Sequence, residues 1–303
     1  LILERLKYFF FHVHNDWQIG LIKSDLNTFL FSNLSHNIKW IKCNFDAYQA
    51  DPFGVEKDGE LYVFYEEYLK NQSYAILKCS IYDKDLNKTD DRIILDDGTH
   101  KSFPFVFEHE NKYYLMPESS ALNKLVIYES LDFPFSWGNE KVILNFACSD
   151  AILKKIENKW YLLYSKSKVD NENEILYMKF SDDLFGDWEA QKEHIVKKDL
   201  YNSRNAGDIY KINYSYYRFA QNCLNQYGEN IIVNKIEFNV NGDVEESFCL
   251  EKNLKTKNKG FHTLNGTRNF VLIDRRVNII KLKSFKLISQ QLMRILKFKR
   301  EIN

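Results

Sequence analysis

The chain has 303 residues, about twice a typical domain length, so it fits one large domain or two smaller ones and not a disulfide-stapled miniprotein. Lys and Arg number 42, as do Asp and Glu, so the formal net charge is zero and there is no excess of basic residues for wholesale nucleic-acid binding. With 45% apolar and 28% charged residues the chain can bury a large core, and its five cysteines contain no Cys-x-x-Cys pair, so neither a disulfide framework nor a zinc site is signalled and a reducing, cytoplasmic setting is expected.

In chain order, residues 1–13 mix apolar side chains with Glu4, Arg5 and Lys7 and lack a small-residue cleavage site, so they read as a truncated or processed start. Residues 16–22 form a first strand pattern. A repeat then begins, each unit two β-rich runs around a turn. The first unit is Ala50-Asp51-Pro52-Phe53, a turn at Asp58-Gly59, and Leu61-Tyr62-Val63-Phe64-Tyr65-Glu66. The second is Ser102-Phe103-Pro104-Phe105, a turn at Glu110-Asn111, and Tyr113-Tyr114-Leu115-Met116-Pro117-Glu118. The third is Ser149-Asp150-Ala151-Ile152, a turn at Glu157-Asn158, and Trp160-Tyr161-Leu162-Leu163-Tyr164-Ser165. The fourth is Asn205-Ala206-Gly207-Asp208-Ile209, a turn near Asn213-Tyr214, and Tyr216-Tyr217-Arg218-Phe219-Ala220-Gln221. The fifth is His262-Thr263-Leu264, a turn at Asn265-Gly266, and Asn269-Phe270-Val271-Leu272-Ile273-Asp274.

The turns recur about every 50 residues, near the roughly 40 to 50 residues of a four-stranded propeller blade. Third-strand patterns follow four of the hairpins. The fifth has little chain after it, so the early strand at 16–22 is expected to complete that blade and close the ring, removing open sheet edges. The fold class expected is all-β, a five-bladed propeller over 1–283. A β-sandwich also has many short strands, but not similar hairpins at one long period. Residues 284–303 read as a short C-terminal amphipathic helix, with Phe285, Ile288, Leu292 and Ile295 against Lys286, Arg294, Lys297 and Arg300. It is expected to pack on the domain or link onward, and any membrane contact would run through it alone. No run of eighteen apolar residues signals a transmembrane helix.

In a propeller the innermost strands line an axial channel whose mouth is the usual ligand site. The starts of the first strands and the ends of the second then converge there. They supply Asp51, Ser102, Asp150, Arg204, Asp208 and His262, with Glu66, Glu118, Arg218, Gln221 and Asp274. Carboxylates, arginines and a histidine in one mouth suit a small polar ligand.

At these residues a family resemblance emerges. Ala50-Asp51-Pro52-Phe53 with Phe64-Tyr65-Glu66, Ser102-Phe103-Pro104-Phe105 with Met116-Pro117-Glu118-Ser119, Arg204-Asn205-Ala206-Gly207 with Arg218-Phe219-Ala220-Gln221-Asn222-Cys223 and Tyr227-Gly228, and His262-Thr263-Leu264-Asn265 resemble the motif series of the glucosamine inositolphosphorylceramide transferase N-terminal-domain family. That family is similar to the five-bladed arabinanase-like and invertase-like glycosidases. The resemblance implies a carbohydrate-active propeller, glycosidase-like or glycosyl-transferring, in bacterial cell-surface polysaccharide metabolism. It also implies a fused or partner glycosyltransferase or formyltransferase.

Cleaving a glycosidic bond needs a carboxylic acid to protonate the leaving oxygen and a carboxylate as base or nucleophile. Asp51, whose Asp-Pro setting resembles the first-blade acid of propeller glycosidases, is expected as the carboxylate. Glu118 is expected as the acid and Asp150 as the group that orients substrate or raises the acid's pKa. Glu66, Ser102, Arg204, Asp208, Arg218, Gln221, His262 and Asp274 are expected to bind substrate, the arginines gripping a carboxylate, phosphate or hydroxyls. The second inner strand lacks a carboxylate at its start, which sets the chain apart from the glycosidases. Glycosyl transfer or phosphorolysis would use an activated sugar in the same cleft. Asp83-Lys84-Asp85 has the spacing of a metal-nucleotide motif but falls in an outer turn. A non-catalytic glycan-binding module serving a partner enzyme is the alternative. No metal, cofactor or nucleic acid is expected.

Overall fold

The computed structural model describes residues 9–282 except 33, 35, 43, 240, 241 and 255–259, together with 287 and 290. The chain opens with β1 (Phe11–Lys23), a one-and-a-half-turn helix α1 (Leu26–Phe31) and β2 (Ile38–Trp40). Asp25 caps α1, its carboxylate accepting from Thr28 N at 2.9 Å and Thr28 Oγ1 at 2.6 Å.

Four complete blades follow, each an antiparallel meander. The first is β3 (Ala47–Lys57), β4 (Glu60–Leu69), β5 (Tyr74–Tyr82) and β6 (Lys88–Leu95). The second is β7 (Ser102–His109), β8 (Lys112–Glu118), β9 (Leu125–Asp132) and β10 (Ser136–Leu144). The third is β11 (Cys148–Ile156), β12 (Lys159–Lys166), β13 (Ile175–Ser181) and β14 (His194–Lys198), and the fourth is β15 (Asn205–Ile212), β16 (Ser215–Gln221), β17 (Ile231–Phe238) and β18 (Val244–Lys252). The fifth blade joins the two ends of the chain in the order β19 (Leu264–Gly266), β20 (Phe270–Leu282), β1, β2. The expected five-bladed propeller and its closure by the N-terminal strand are what the chain adopts.

The fifth hairpin differs from expectation in detail. Asn265 and Gly266 pair within β19, and the turn falls at 267–269, where Thr267 N donates to Phe270 O at 2.8 Å. β1 and β20 run for 13 residues each, in register from Phe11↔Leu282 to Lys23↔Phe270. The turn dipeptides elsewhere behave as read: Asp58-Gly59 and Glu110-Asn111 have positive φ at both positions, matching the right-handed twist of the flanking strands. The helix expected over 284–303 lies outside the described residues apart from positions 287 and 290. Cys79, Cys148, Cys223 and Cys249 are all free thiols, and Cys43 lies outside the description.

Packing follows blade position. β11 and β12 are buried almost throughout because neighbouring blades cover both faces, whereas β14 and β18 on the rim are half-buried or exposed. Aromatic side chains fill the space between blades, with Phe64, Phe105, Tyr164 and Trp188 all fully buried. Leu26, Phe29 and Leu30 of α1 pack with Phe219, Phe261 and Val271, sealing the contact between blades four and five. The inner strands also touch: a Cβ on Gly207 would lie 2.1 Å from Leu264 O, so only glycine lets β15 approach β19 this closely.

Candidate functional site

The same backbone device opens the first three inner strands. Asp51, Phe103 and Asp150 each take a left-handed conformation, with φ of 52°, 45° and 47°. Each starts a two-residue bulge, and pairing shifts between Ala50 and Phe53, Ser102 and Phe105, and Ser149 and Ile152. Non-glycine residues at positive φ are costly, and bulges re-aim side chains. The repeat therefore turns one side chain per blade at the mouth of the channel. Phe103 is the second-blade equivalent of Asp51 and Asp150, so an apolar ring stands where its neighbours present a carboxylate.

Asp51 is the hub between blades one and five. Its carboxylate accepts from Thr263 Oγ1 at 2.8 Å and Phe103 N at 3.3 Å, and its Oδ1 lies 3.4 Å from His262 Nε2. The other imidazole nitrogen of His262, Nδ1, lies 2.6 Å from Asp274 Oδ2. Asp274 is fully buried and accepts from the backbone N–H of His262, Thr263 and Asp51 at 3.1, 3.0 and 3.3 Å. Burial opposes a charge on His262, but Asp274 and then Asp51 outweigh it and leave the imidazole above its ordinary pKa. Ligand atoms of Asp51, His262 and Asp274 lie within 4.8 Å of one another, a spacing open to a metal ion. The hydroxyl and N–H donors already aimed at these carboxylates make them a hydrogen-bonded relay instead, and we assign no ion to it.

Asp150 is the second hub. Arg204 Nε donates to its Oδ2 at 2.6 Å and Gln221 Nε2 to the same oxygen at 2.8 Å. Arg204 also reaches Glu172 Oε1 and Asn173 Oδ1, at 3.0 and 2.8 Å, and its guanidinium faces the Tyr227 ring at 5.1 Å. Glu118 pairs with Ser102 across the second blade, its carboxylate accepting from Ser120 Oγ at 2.8 Å and Asp150 N at 3.3 Å. Burial, then the charge of Asp150, pushes Glu118 up to about 7 against the pull of Arg204 and of these donors. Burial likewise carries Asp51 up to about 6, with His262 opposing it and Asp150 and Asp274 adding to it. Glu66, opposite Ala50 in the first blade, is raised well above the usual range, by burial first and then by Asp51, Glu118, Asp274 and Asp150.

Of the residues expected at the mouth, Asp51, Glu66, Ser102, Glu118, Asp150, Arg204, Gln221, His262 and Asp274 come together there. Two do not. Arg218 is fully buried inside blade four, where it is paired with Glu246 through Nε and, at 2.8 Å, Nη2, and donates to Asn205 Oδ1 and Asn202 O. Gln221, three residues on and so on the opposite face of the strand, is the one that reaches Asp150. Asp208 lies within the register shift between Asn205 and Ile209, and its side chain turns to Lys154 of the adjacent inner strand at 2.9 Å. Asp83 and Asp85 sit in the β5–β6 turn, where Asp83 caps Asp85 N and Asn87 N at 2.8 Å each.

Sequence reasoning passed over the aromatic wall. Trp17 of β1 stacks on His262 with ring centroids 3.7 Å apart and an interplanar angle of 14°, and Tyr227 meets the same imidazole edge-on at 5.5 Å. The Tyr227-Gly228 motif was the available signal for one of them. Trp17 reaches the mouth only through ring closure, which no local pattern reveals.

A sequence profile described as glucosamine inositolphosphorylceramide transferase 1, N-terminal, matches residues 39–289. The glucosamine inositolphosphorylceramide transferase 1 of Arabidopsis thaliana is 33% identical over 234 residues, covering 72% of this chain and 29% of that protein. Its counterpart from Oryza sativa subsp. indica is 28% identical over 225 residues, covering 72% of this chain and 30% of its own length. The chain thus spans under a third of these relatives. Among solved structures, an exo-1,5-alpha-L-arabinanase from a bovine ruminal metagenomic library superposes with a TM-score of 0.55 at 12% identity, over 77% of this chain and 94% of that one. The catalytic domain of the Coprinopsis cinerea GH62 alpha-L-arabinofuranosidase gives 0.55 at 12%, over 75% and 90%. These two share the fold. The profile match over most of the chain and the sequence identity to the plant proteins go further, and the chain belongs to the glucosamine inositolphosphorylceramide transferase N-terminal family.

Proposed function

We propose that this domain is a carbohydrate-active propeller that takes a glycan at the axial mouth and breaks or transfers a glycosidic bond there. Asp51 is the carboxylate that activates the incoming hydroxyl, and a neighbouring carboxyl of the same mouth donates the proton to the leaving oxygen. One observation carries the reading: Asp51 and Glu118 are buried in one cluster with pKa values pushed up to about 6 and about 7, the range in which one carboxyl is ionised while another still holds a proton. The names of the fold relatives, an arabinanase and an arabinofuranosidase, agree with this chemistry.

Arg204, the arginine that reaches the mouth, is already bound to Asp150 and Glu172. A phosphate would have to compete with these carboxylates for it, so a hydroxyl-rich glycan suits this side of the mouth better than an activated sugar bearing phosphate. Among the described residues no helix is long and apolar enough to cross a membrane.

A second reading has its own support. The chain covers 29% and 30% of relatives named as transferases, so the domain would serve as the glycan-binding part of a larger enzyme or of a partner glycosyltransferase or formyltransferase in cell-surface polysaccharide metabolism. Incubation with purified surface glycans and aryl glycosides separates the two. Release of reducing ends that Asp51→Asn abolishes supports the catalytic reading; saturable binding without turnover supports the second.

A further inference from the structure

We propose that Glu66 is the proton donor of the mouth, passing its carboxyl proton to the glycosidic oxygen as the bond to the leaving sugar breaks. The inference rests on the sugar-processing reading above and gives Glu66 the role that the sequence motifs suggest for Glu118.

Five carboxyls crowd the mouth: Asp51, Glu66, Glu118, Asp150 and Asp274. Four accept hydrogen bonds from fixed donors. Asp51 has Thr263 Oγ1 and Phe103 N; Glu118 has Ser120 Oγ on one oxygen and Asp150 N on the other; Asp150 has Arg204 and Gln221; Asp274 has three backbone N–H groups. Donors aimed at a carboxyl oxygen stabilise it as an acceptor. Among the described residues no hydrogen bond reaches the Glu66 carboxyl, although the residue is only 6% exposed.

The repeat explains why Glu66 stands apart. Glu66 and Glu118 occupy equivalent places, opposite Ala50 and Ser102, each one residue before the kinked position of its blade. In blade two, Glu118 receives the N–H of the next blade's kinked residue, Asp150. In blade one the corresponding N–H belongs to Phe103 and goes to Asp51 instead, at 3.3 Å. Glu66 is left beside Asp51 with four carboxyl neighbours and no donor, an environment that favours the neutral, proton-bearing acid.

The step balances with water as the second reactant. Water oxygen forms the new bond to the anomeric carbon while its proton passes to the Asp51 carboxylate. The bond to the glycosidic oxygen breaks, and that oxygen keeps the electron pair and takes the Glu66 proton. Proton exchange with solvent then restores neutral Glu66 and ionised Asp51.

The test uses aryl and alkyl α-L-arabinofuranosides, β-D-xylosides and β-D-glucosaminides, together with infrared difference spectra above pH 8. Glu66→Gln should lower kcat by about 10²–10⁴-fold on alkyl glycosides, whose leaving groups need a proton, and leave 2,4-dinitrophenyl glycosides nearly unchanged. Glu118→Gln should show no such dependence on the leaving group. The spectrum of wild type should contain protonated-carboxyl absorption from Glu66 that persists above pH 8, where Glu118, at about 7, has lost its proton, and Glu66→Gln should remove that part. A band above pH 8 that Glu66→Gln leaves unchanged, or leaving-group dependence that appears in Glu118→Gln, overturns the assignment while the sugar-processing reading stands. If wild type cleaves no glycoside although the Glu66 band is present, the sugar-processing reading fails and the donor role fails with it.

Discussion

His262 Nδ1 stands 2.6 Å from Asp274 Oδ2, and that carboxylate also gathers the backbone N–H of residues 262 and 263. The side chain of the second strand thereby fixes both the imidazole and the start of the fifth inner strand, where no bulge like those of blades one to three is present. Asp274→Ala removes every one of these acceptors at a fully buried position. It should cost about 3–5 kcal/mol, as breaking a buried ion pair does. Urea unfolding measures the loss, and a change below about 1 kcal/mol would show that the relay is not structural.

The raised acids give stability a definite pH slope. Glu118, at about 7, and Asp51, at about 6, hold protons in the folded state that they release near pH 4 when unfolded. Their contribution is therefore fully present below about pH 4 and is lost as pH rises through about 6 to 7. His262, raised above its ordinary value, acts in the same direction. The melting temperature should fall between pH 5 and 8. Glu118→Gln should flatten that fall, and a slope unchanged in this variant would contradict the site's electrostatics.

The two arginines should behave oppositely. Arg218→Met leaves Glu246, 1% exposed at its side chain, with Lys197 at 3.4 Å as its remaining ion-pair partner among the described residues, and should cost about 3–5 kcal/mol of stability. Arg204→Met removes the partner of Asp150 at the mouth itself, so it should change ligand binding or turnover at substrate concentrations where the Arg218 variant, corrected for folded fraction, matches wild type. Equal functional loss in both would mean that Arg204 has no part at the mouth beyond stability.

How much of this was legible in the sequence follows from what each feature depends on. Hairpins such as Asp58-Gly59 and Glu110-Asn111 are set by local turn chemistry, and their spacing yielded the blades and the inner strands. Asn265-Gly266 reads as a hairpin turn in the sequence, whereas the Asn265 side chain bridges neighbouring inner strands, donating to Pro52 O and accepting from Asp208 N, both at 2.9 Å, and the turn falls at 267–269. Tertiary contacts overrode the local signal. Strand order alone puts Arg218 at the mouth because its strand ends there, but residues three apart in a regular strand face opposite sides, so Arg218 and Gln221 of β16 diverge and Gln221 alone reaches Asp150. The left-handed turn shared by Asp51, Phe103 and Asp150 leaves no compositional trace, since two aspartates and a phenylalanine share no propensity for it.

Gly228 offers the sharpest test of the aromatic wall. It lies between β16 and β17 at φ +59°, and a Cβ there would come 2.4 Å from His262 Cβ and 3.4 Å from the Trp17 ring. Its carbonyl also accepts from Phe261 N at 2.9 Å, tying the 222–230 segment to the start of the fifth inner strand. Gly228→Ala must therefore either strain its own backbone or push His262 away from Trp17. Both routes loosen a stack whose rings are 3.7 Å apart, and the stability cost should be about 1–3 kcal/mol. If Trp17 and His262 form part of the ligand wall, the variant should also lose at least tenfold in affinity for a glycan that wild type binds, measured by quenching of tryptophan fluorescence. Gly228→Ala with wild-type affinity would place the sugar on the Asp150 side of the mouth, away from the stack.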